Sequence, residues 1–179
     1  MGSKFRWFLV PGMVFILLAG CSDVRPLYGT NGQTYSESLN GHLADIEIPE
    51  PKSRVEQLVR NDLLSAMSAP GAQGNGRYTL SLVVAERVSS AYIETNSEIS
   101  RKLLQLNVSY TLSDQTTRKA IHTGKTFSEV SYDRITSEFA NMQARTDARE
   151  RAAGEVARDI RTRLAAFFVK REGSNAAIN

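Results

Sequence analysis

Leu104-Gln105-Leu106-Asn107-Val108-Ser109-Tyr110-Thr111-Leu112 alternates without a break, apolar at every even position and polar at every odd one. Successive side chains of an extended chain point to opposite faces, so this stretch reads as a strand with one buried and one wetted face. Strands covered on both faces read instead as continuous apolar runs, so one face of the sheet built on this strand is core and the other is polar.

The neighbouring sequence supplies partners for that strand. Tyr78, Leu80, Leu82 and Val84 face one way while Thr79, Ser81 and Ala85 face the other, a strand that runs to Val88 and on through Ile93. The polar segment from Glu94 to Ser100 links it onward. On the other side, Asp114 to Arg118 makes a short turn into a strand from Lys119 to Tyr132, a hairpin whose alternation blurs around Gly124, where a bulge is expected. A further strand is expected from His42 to Ile48, with Ala44, Ile46 and Ile48 on one side, ended by Pro49 and Pro51.

Two helices complete the set. Ser53 and Glu56 have capping-box spacing, and Val55, Leu58, Val59, Leu63, Ala66 and Met67 follow at helical intervals until Pro70-Gly71. From Phe139 to Lys170 no proline intervenes, and Ala148, Ala152, Val156, Ile160, Leu164, Phe167 and Phe168 form an apolar stripe. Gly154 costs that helix about 1 kcal/mol relative to alanine, too little to break it. Its other face carries Arg145, Arg149, Arg151, Arg158, Arg161 and Arg163 among Asp147, Glu150, Glu155 and Asp159. Asp147 with Arg151, and Asp159 with Arg163, lie one turn apart, which points to a solvated, self-paired surface. The order strand, helix, three strands, helix makes an α+β fold: a two-layer sandwich with a four-stranded sheet and two helices on one face.

The amino-terminal end carries an address. Lys4 and Arg6, the apolar run from Trp7 to Leu18, and Leu18-Ala19-Gly20-Cys21 give the charge, apolar and small-residue order of a secretion signal. The run is too short for a stable membrane span. Small residues before a cysteine are the lipoprotein form of the cleavage site, in which the thiol takes a diacylglyceryl group before cleavage at its amino side. Residues 1–20 are therefore expected to be the signal, with Cys21 the lipidated first residue of the mature chain. Ser22, rather than an acidic residue, follows it, which favours sorting to the outer membrane.

Cys21 is the only cysteine, so the exported domain relies on its core rather than on an intrachain disulfide. The leader removes two of the three formal positive charges and leaves +1 on the mature part. So balanced a domain argues against general nucleic-acid binding and leaves any anion to a local patch. Residues 21–40, rich in Ser, Gly, Asn and Thr, read as a lipidated tether interrupted by Arg25-Pro26-Leu27-Tyr28-Gly29. The folded domain is expected over residues 41–172, with a disordered tail over 173–179.

Catalytic patterns are missing from the sequence. His42 and His122 have no Cys, Asp or Glu at ligand spacing, so no metal or other cofactor is expected. There is no nucleophile elbow, phosphate-binding loop or dinucleotide fingerprint. Asp45 and Glu47 share a strand face, but a glycosidase cleft needs aromatic walls, and Trp7, the sole tryptophan, lies in the leader.

A lipobox, a leash holding Arg25-Pro26-Leu27-Tyr28-Gly29, and a final helix containing Phe139 to Arg149 and Asp159-Ile160-Arg161-Thr162-Arg163-Leu164 together make the chain resemble the LptE family of LPS-assembly lipoproteins, in its alphaproteobacterial branch. The resemblance implies no enzyme. It implies a lipoprotein held by acyl chains such as palmitate at the periplasmic side of the outer membrane, plugging the LPS-assembly β-barrel (LptD-type), helping it assemble and passing lipopolysaccharide to the outer leaflet. A nearly neutral surface rich in Asn, Gln, Ser and Thr suits the polar lumen of such a barrel. By electrostatics alone, Arg101 and Lys102 at one hairpin mouth, with Arg118, Lys119 and Lys125 near the other, are candidates to contact lipopolysaccharide phosphates. Charges that merely solubilise strand ends would look the same. An auxiliary lipoprotein of an envelope lipid-transport ABC system is the alternative reading, and a periplasmic enzyme a more distant one.

Overall fold

The computed structural model describes residues 38–68, 74–93 and 100–176, all within one compact unit. In chain order these form α1 (38–44), β1 (Ile46–Glu47), α2 (Arg54–Met67), β2 (Tyr78–Ile93), β3 (Ser100–Asp114), β4 (Ala120–Arg134) and α3 (Glu138–Ala176). The leader, Cys21, the Arg25 to Gly29 motif and the link at 94–99 lie outside the described residues.

The sheet is open, in the order β1-β2-β3-β4. β2, β3 and β4 are antiparallel neighbours, while β1 adds a short parallel pairing of Ile46 with Tyr78. Register explains why one face is apolar. Leu80 stands opposite Leu112, Leu82 opposite Tyr110, Val84 opposite Val108 and Val88 opposite Leu104, so the even positions of β2 and β3 form one continuous inner wall. On the outer face the rows read Ser81, Thr111, Thr123 and then Ala85, Asn107, Phe127, polar apart from a few isolated apolar side chains. This is the two-layer α+β sandwich with a four-stranded sheet that the alternation demanded.

Both long helices pack on the inner wall. Val59, Leu63 and Met67 of α2 and Ala148, Ala152, Ala153, Val156, Ala157, Ile160, Leu164 and Phe168 of α3 are buried there with Leu104, Leu106, Val108 and Leu112. The alanines keep α3 close to its neighbours, and Gly154 faces α2 with room for a side chain, since a Cβ there would lie at an ordinary contact distance of 3.7 Å from Asp62. The Ser53 hydroxyl accepts from the Glu56 N–H at 3.2 Å and begins α2 as the capping spacing requires, although the Glu56 carboxylate returns to the Lys52 N–H. α3 continues to Ala176, past the expected domain end at 172. Despite its length, no helix among the described residues is apolar enough to cross a membrane.

Two local expectations are corrected. The segment 42–48 is not one strand: 38–44 is helical, and only Ile46–Glu47 is extended. Leu39 and Leu43 lie one helical turn apart and pack on the core, while His42 stacks on Phe168 at 5.0 Å and hydrogen-bonds Glu172 at 3.0 Å. Those partners lie over a hundred residues away, so the local alternation had no means to reveal them. The hairpin irregularity likewise falls between Leu112 and Ser113, facing Ile121, and not at Gly124. Gly124 is there because the Tyr110 ring lies across it, where a Cβ would collide with the ring and hydroxyl.

The β3–β4 turn is held by Asp114, whose carboxylate accepts from the Thr116 and Thr117 N–H groups, each at 2.9 Å. These bonds, the one from Thr117 foremost, keep its carboxyl below the usual range. Arg118 completes the turn at φ 55, a left-handed conformation that costs a side-chain-bearing residue about 1–2 kcal/mol. Arg118→Gly is therefore expected to stabilise the domain by about 0.5–1 kcal/mol, the extra freedom of glycine in the unfolded chain offsetting part of the relief. Urea unfolding reads this directly, and a lower midpoint for the glycine variant would show the turn to be unstrained.

Candidate functional site

At the Ser100 end of β3 the inner face changes character. Past Leu104 the rows become Ser90, Lys102, Tyr132 and then end at Arg134, while the first turns of α3 lie opposite them. Between these elements is an open cleft of about 570 Å³, lined by Lys102, Tyr132, Arg134, Phe139, Met142, Arg145 and Arg149 among others. Phe139 is 74% and Met142 61% exposed, so an apolar lip adjoins four cations.

Glu86 fixes two of those cations. It is an inner-face residue of β2, opposite Leu106, and its carboxylate accepts from Arg149 Nε at 2.8 Å and Nη2 at 3.0 Å and from Arg145 Nη2 at 2.8 Å. Burial alone would raise its pKa, but the two guanidinium partners outweigh this and hold it below the ordinary carboxylate value. Glu86 neutralises one charge and Glu138 lies at the rim beside Arg134, 3.9 Å away, so the cleft keeps a positive balance. Lys102 Nζ donates to the Ser90 hydroxyl at 2.8 Å, a neutral partner, and pairs with no carboxylate among the described residues.

The turn into α3 is locked by Asn141. Its side-chain oxygen accepts from the Ile135 N–H and its amide donates to the Ile135 carbonyl, each at 2.8 Å, while Ser137 caps the helix through the Ala140 N–H at 3.4 Å. Arg134 and Phe139 flank this lock, so their backbone positions are set before any ligand arrives.

The five basic residues singled out by charge are distributed by the strand geometry. Arg101 and Lys102 are adjacent and point to opposite faces: Lys102 enters the cleft, while Arg101 lies outside in an ion pair with Asp133 at 3.0 Å. Arg118 and Lys119 sit at the other end of the sheet, roughly 40 Å away along β3 at the usual rise per residue. Lys125 projects from the outer face of β4, in register with Ser109. Of the α3 arginines, Arg151 and Arg163 pair with Asp147 and Asp159 at 3.0 and 2.7 Å, as their spacing indicates. Arg161 instead caps the α2 carbonyl of Ala66 at 2.8 Å. Arg145 and Arg149 belong to the cleft, and a signal for this was present: with Ala152 and Val156 they follow the spacing of the buried stripe. Among the described residues no cluster of metal-ligating side chains occurs.

No curated protein matches the sequence. Among solved structures, a Caulobacter crescentus protein described as a lipoprotein is similar at 29% identity and a TM-score of 0.64, over 74% of this chain and 97% of that one. A Helicobacter pylori homologue of a neuraminyllactose-binding hemagglutinin shares the fold at 13% identity and a TM-score of 0.50, covering 75% of this chain and 86% of its own. The rare lipoprotein B of Shewanella oneidensis aligns at 14% identity and 0.49, over 72% and 97% of the two chains. The sequence profile described as LptE, lipopolysaccharide-assembly, matches residues 42–164, well over half of the chain and nearly all of the sandwich, and the protein belongs to that family of lipopolysaccharide-assembly lipoproteins.

Proposed function

We propose that this protein is anchored through acyl chains on Cys21 to the periplasmic side of the outer membrane. There it plugs and helps assemble an LptD-type LPS-assembly β-barrel, and assists the insertion of lipopolysaccharide into the outer leaflet. It acts by contact, not turnover. The observation that carries this reading is the cleft, where Lys102, Arg134, Arg145 and Arg149 adjoin exposed Phe139 and Met142. Lipopolysaccharide presents the matching pair of features, phosphates beside acyl chains, and guanidinium groups pre-oriented by Glu86 can meet phosphate oxygens in two-point contacts. The polar outer face of the sheet supports the plug, since a barrel lumen offers hydrogen-bonding groups rather than grease.

Two measurements test the proposal together. The tagged protein, extracted with its membrane in mild detergent, is expected to bring down a large outer-membrane barrel in stable proportion; without one, the auxiliary of a lipid-transport ABC system becomes the better reading. Lys102→Ala with Arg134→Ala should weaken lipopolysaccharide binding about tenfold in a salt-sensitive manner, whereas Arg118→Ala with Lys119→Ala should leave it unchanged. Equal effects of the two pairs would remove the cleft as the glycolipid contact.

A further inference from the structure

β4 forms one border of the sheet: among the described residues it pairs with β3 on one side and with no strand on the other. The border is long and regular. Its one irregularity lies at the hairpin end, facing Ile121, which leaves 122–134 in unbroken register without proline or bulge. Folded proteins ordinarily blunt such borders by shortening, bulging, covering or charging them, because a row of free N–H and C=O groups is a template for another strand. Of these devices the described part of β4 has only its charges, which admit a strand of matching charge.

Three outer-face residues at the middle of this border have no complement within the sheet. Lys125, Phe127 and Glu129 face Ser109, Asn107 and Gln105 of β3, so each charge stands beside a neutral neighbour, and Phe127 is 66% exposed. On the inner side, Ser128 donates to Glu155 at 2.6 Å and Thr126 hydrogen-bonds Asp159, which places two carboxylates of α3 above the same stretch.

We infer that β4 is a strand-addition site, taking an antiparallel extended segment from another polypeptide. The complement follows from the charges. On the outer side the incoming strand carries a base opposite Glu129, an apolar residue opposite Phe127 and an acid opposite Lys125; on the helix side it carries a base below Glu155, since Asp159 is already met by Arg163. A second copy of this chain satisfies only the outer half. Turned about a two-fold axis at Phe127 it would match Lys125 with Glu129, but it would bring each Glu155 toward the other copy's Asp159, a carboxylate already paired with Arg163 that offers Glu155 no free base.

The probe is a labelled eleven-residue peptide with Lys, Val and Glu opposite Glu129, Phe127 and Lys125, and Arg opposite Ser128, titrated by anisotropy into the full lipidated protein in detergent. Saturable binding that weakens with salt is expected. The double variant Lys125→Glu, Glu129→Lys should lose at least tenfold in affinity and recover it with the peptide whose Lys and Glu are exchanged; both charges are exposed, so the domain keeps its fold, which circular dichroism checks. Phe127→Ala should weaken both pairings. Absence of wild-type binding, or binding indifferent to the exchange, would overturn the proposal. So would a dimer of the protein that the peptide dissolves, which gives the border to a second copy, or tighter peptide binding once residues 22–37 are deleted, which gives it to the tether.

Discussion

Leu106→Ala is expected to destabilise the domain by about 2–5 kcal/mol, and Gln105→Ala, one position away, by no more than about 0.5 kcal/mol. Leu106 is fully buried on the inner wall, between Glu86 of β2 and Ser128 of β4, and lies under the helices. Truncating it removes several methyl and methylene contacts and leaves a cavity that alanines already packed in α3 cannot refill. Ile160, buried on the helix side of the same layer, should behave like Leu106. Gln105 projects from the outer face, where solvent replaces the lost atoms. Urea unfolding of a soluble form of the mature chain measures the contrast. Comparable losses at Leu106 and Gln105 would mean that both faces of β3 are covered, contrary to a two-layer sandwich.

Cys21→Ser should abolish anchoring altogether. The substitution replaces the thiol proposed to take the diacylglyceryl group by a hydroxyl, and the cleavage step of a lipoprotein requires the lipid to be in place. The variant should therefore accumulate as an uncleaved precursor that incorporates no labelled fatty acid. If the proposed function holds, the barrel partner should also fall in amount, because a plug that binds only the assembled barrel stabilises it by mass action. Normal lipid labelling and processing of the serine variant would show that the lipobox reading is wrong. Normal processing defects with undiminished barrel would instead separate the anchor from the assembly role.

The cleft also accounts for an otherwise unfavourable feature of the core. A carboxylate on the inner wall at Glu86 is costly to bury unless its charge is met, and Arg145 and Arg149 meet it with three hydrogen bonds. Glu86 thus lies one row inside the end of the apolar sandwich, and the basic, amphiphilic part of the inner face begins past Val88, Leu104 and Val130.

The period-two alternation of Leu104 to Leu112, the capping pair Ser53 and Glu56 and the apolar stripe from Ala148 to Phe168 were enough to settle the element types, the orientation of the central strand and the two-layer class. Each is a local pattern produced by backbone geometry, so each survives in the sequence alone. The pairing of Asp147 with Arg151 and of Asp159 with Arg163 is local in the same sense, one turn along a helix. The residues 38–44 became a helix, Gly124 became a seat for Tyr110, and Arg145 and Arg149 left the solvated face for Glu86 because their partners are distant in the chain. Nearest-neighbour spacing does not name such partners, although it does set Arg145 and Arg149 in line with the buried stripe of Ala152 and Val156. Charge counting likewise found Lys102 but grouped it with Arg101, since only strand register decides which of two adjacent cations turns toward the helices and which is left outside with Asp133.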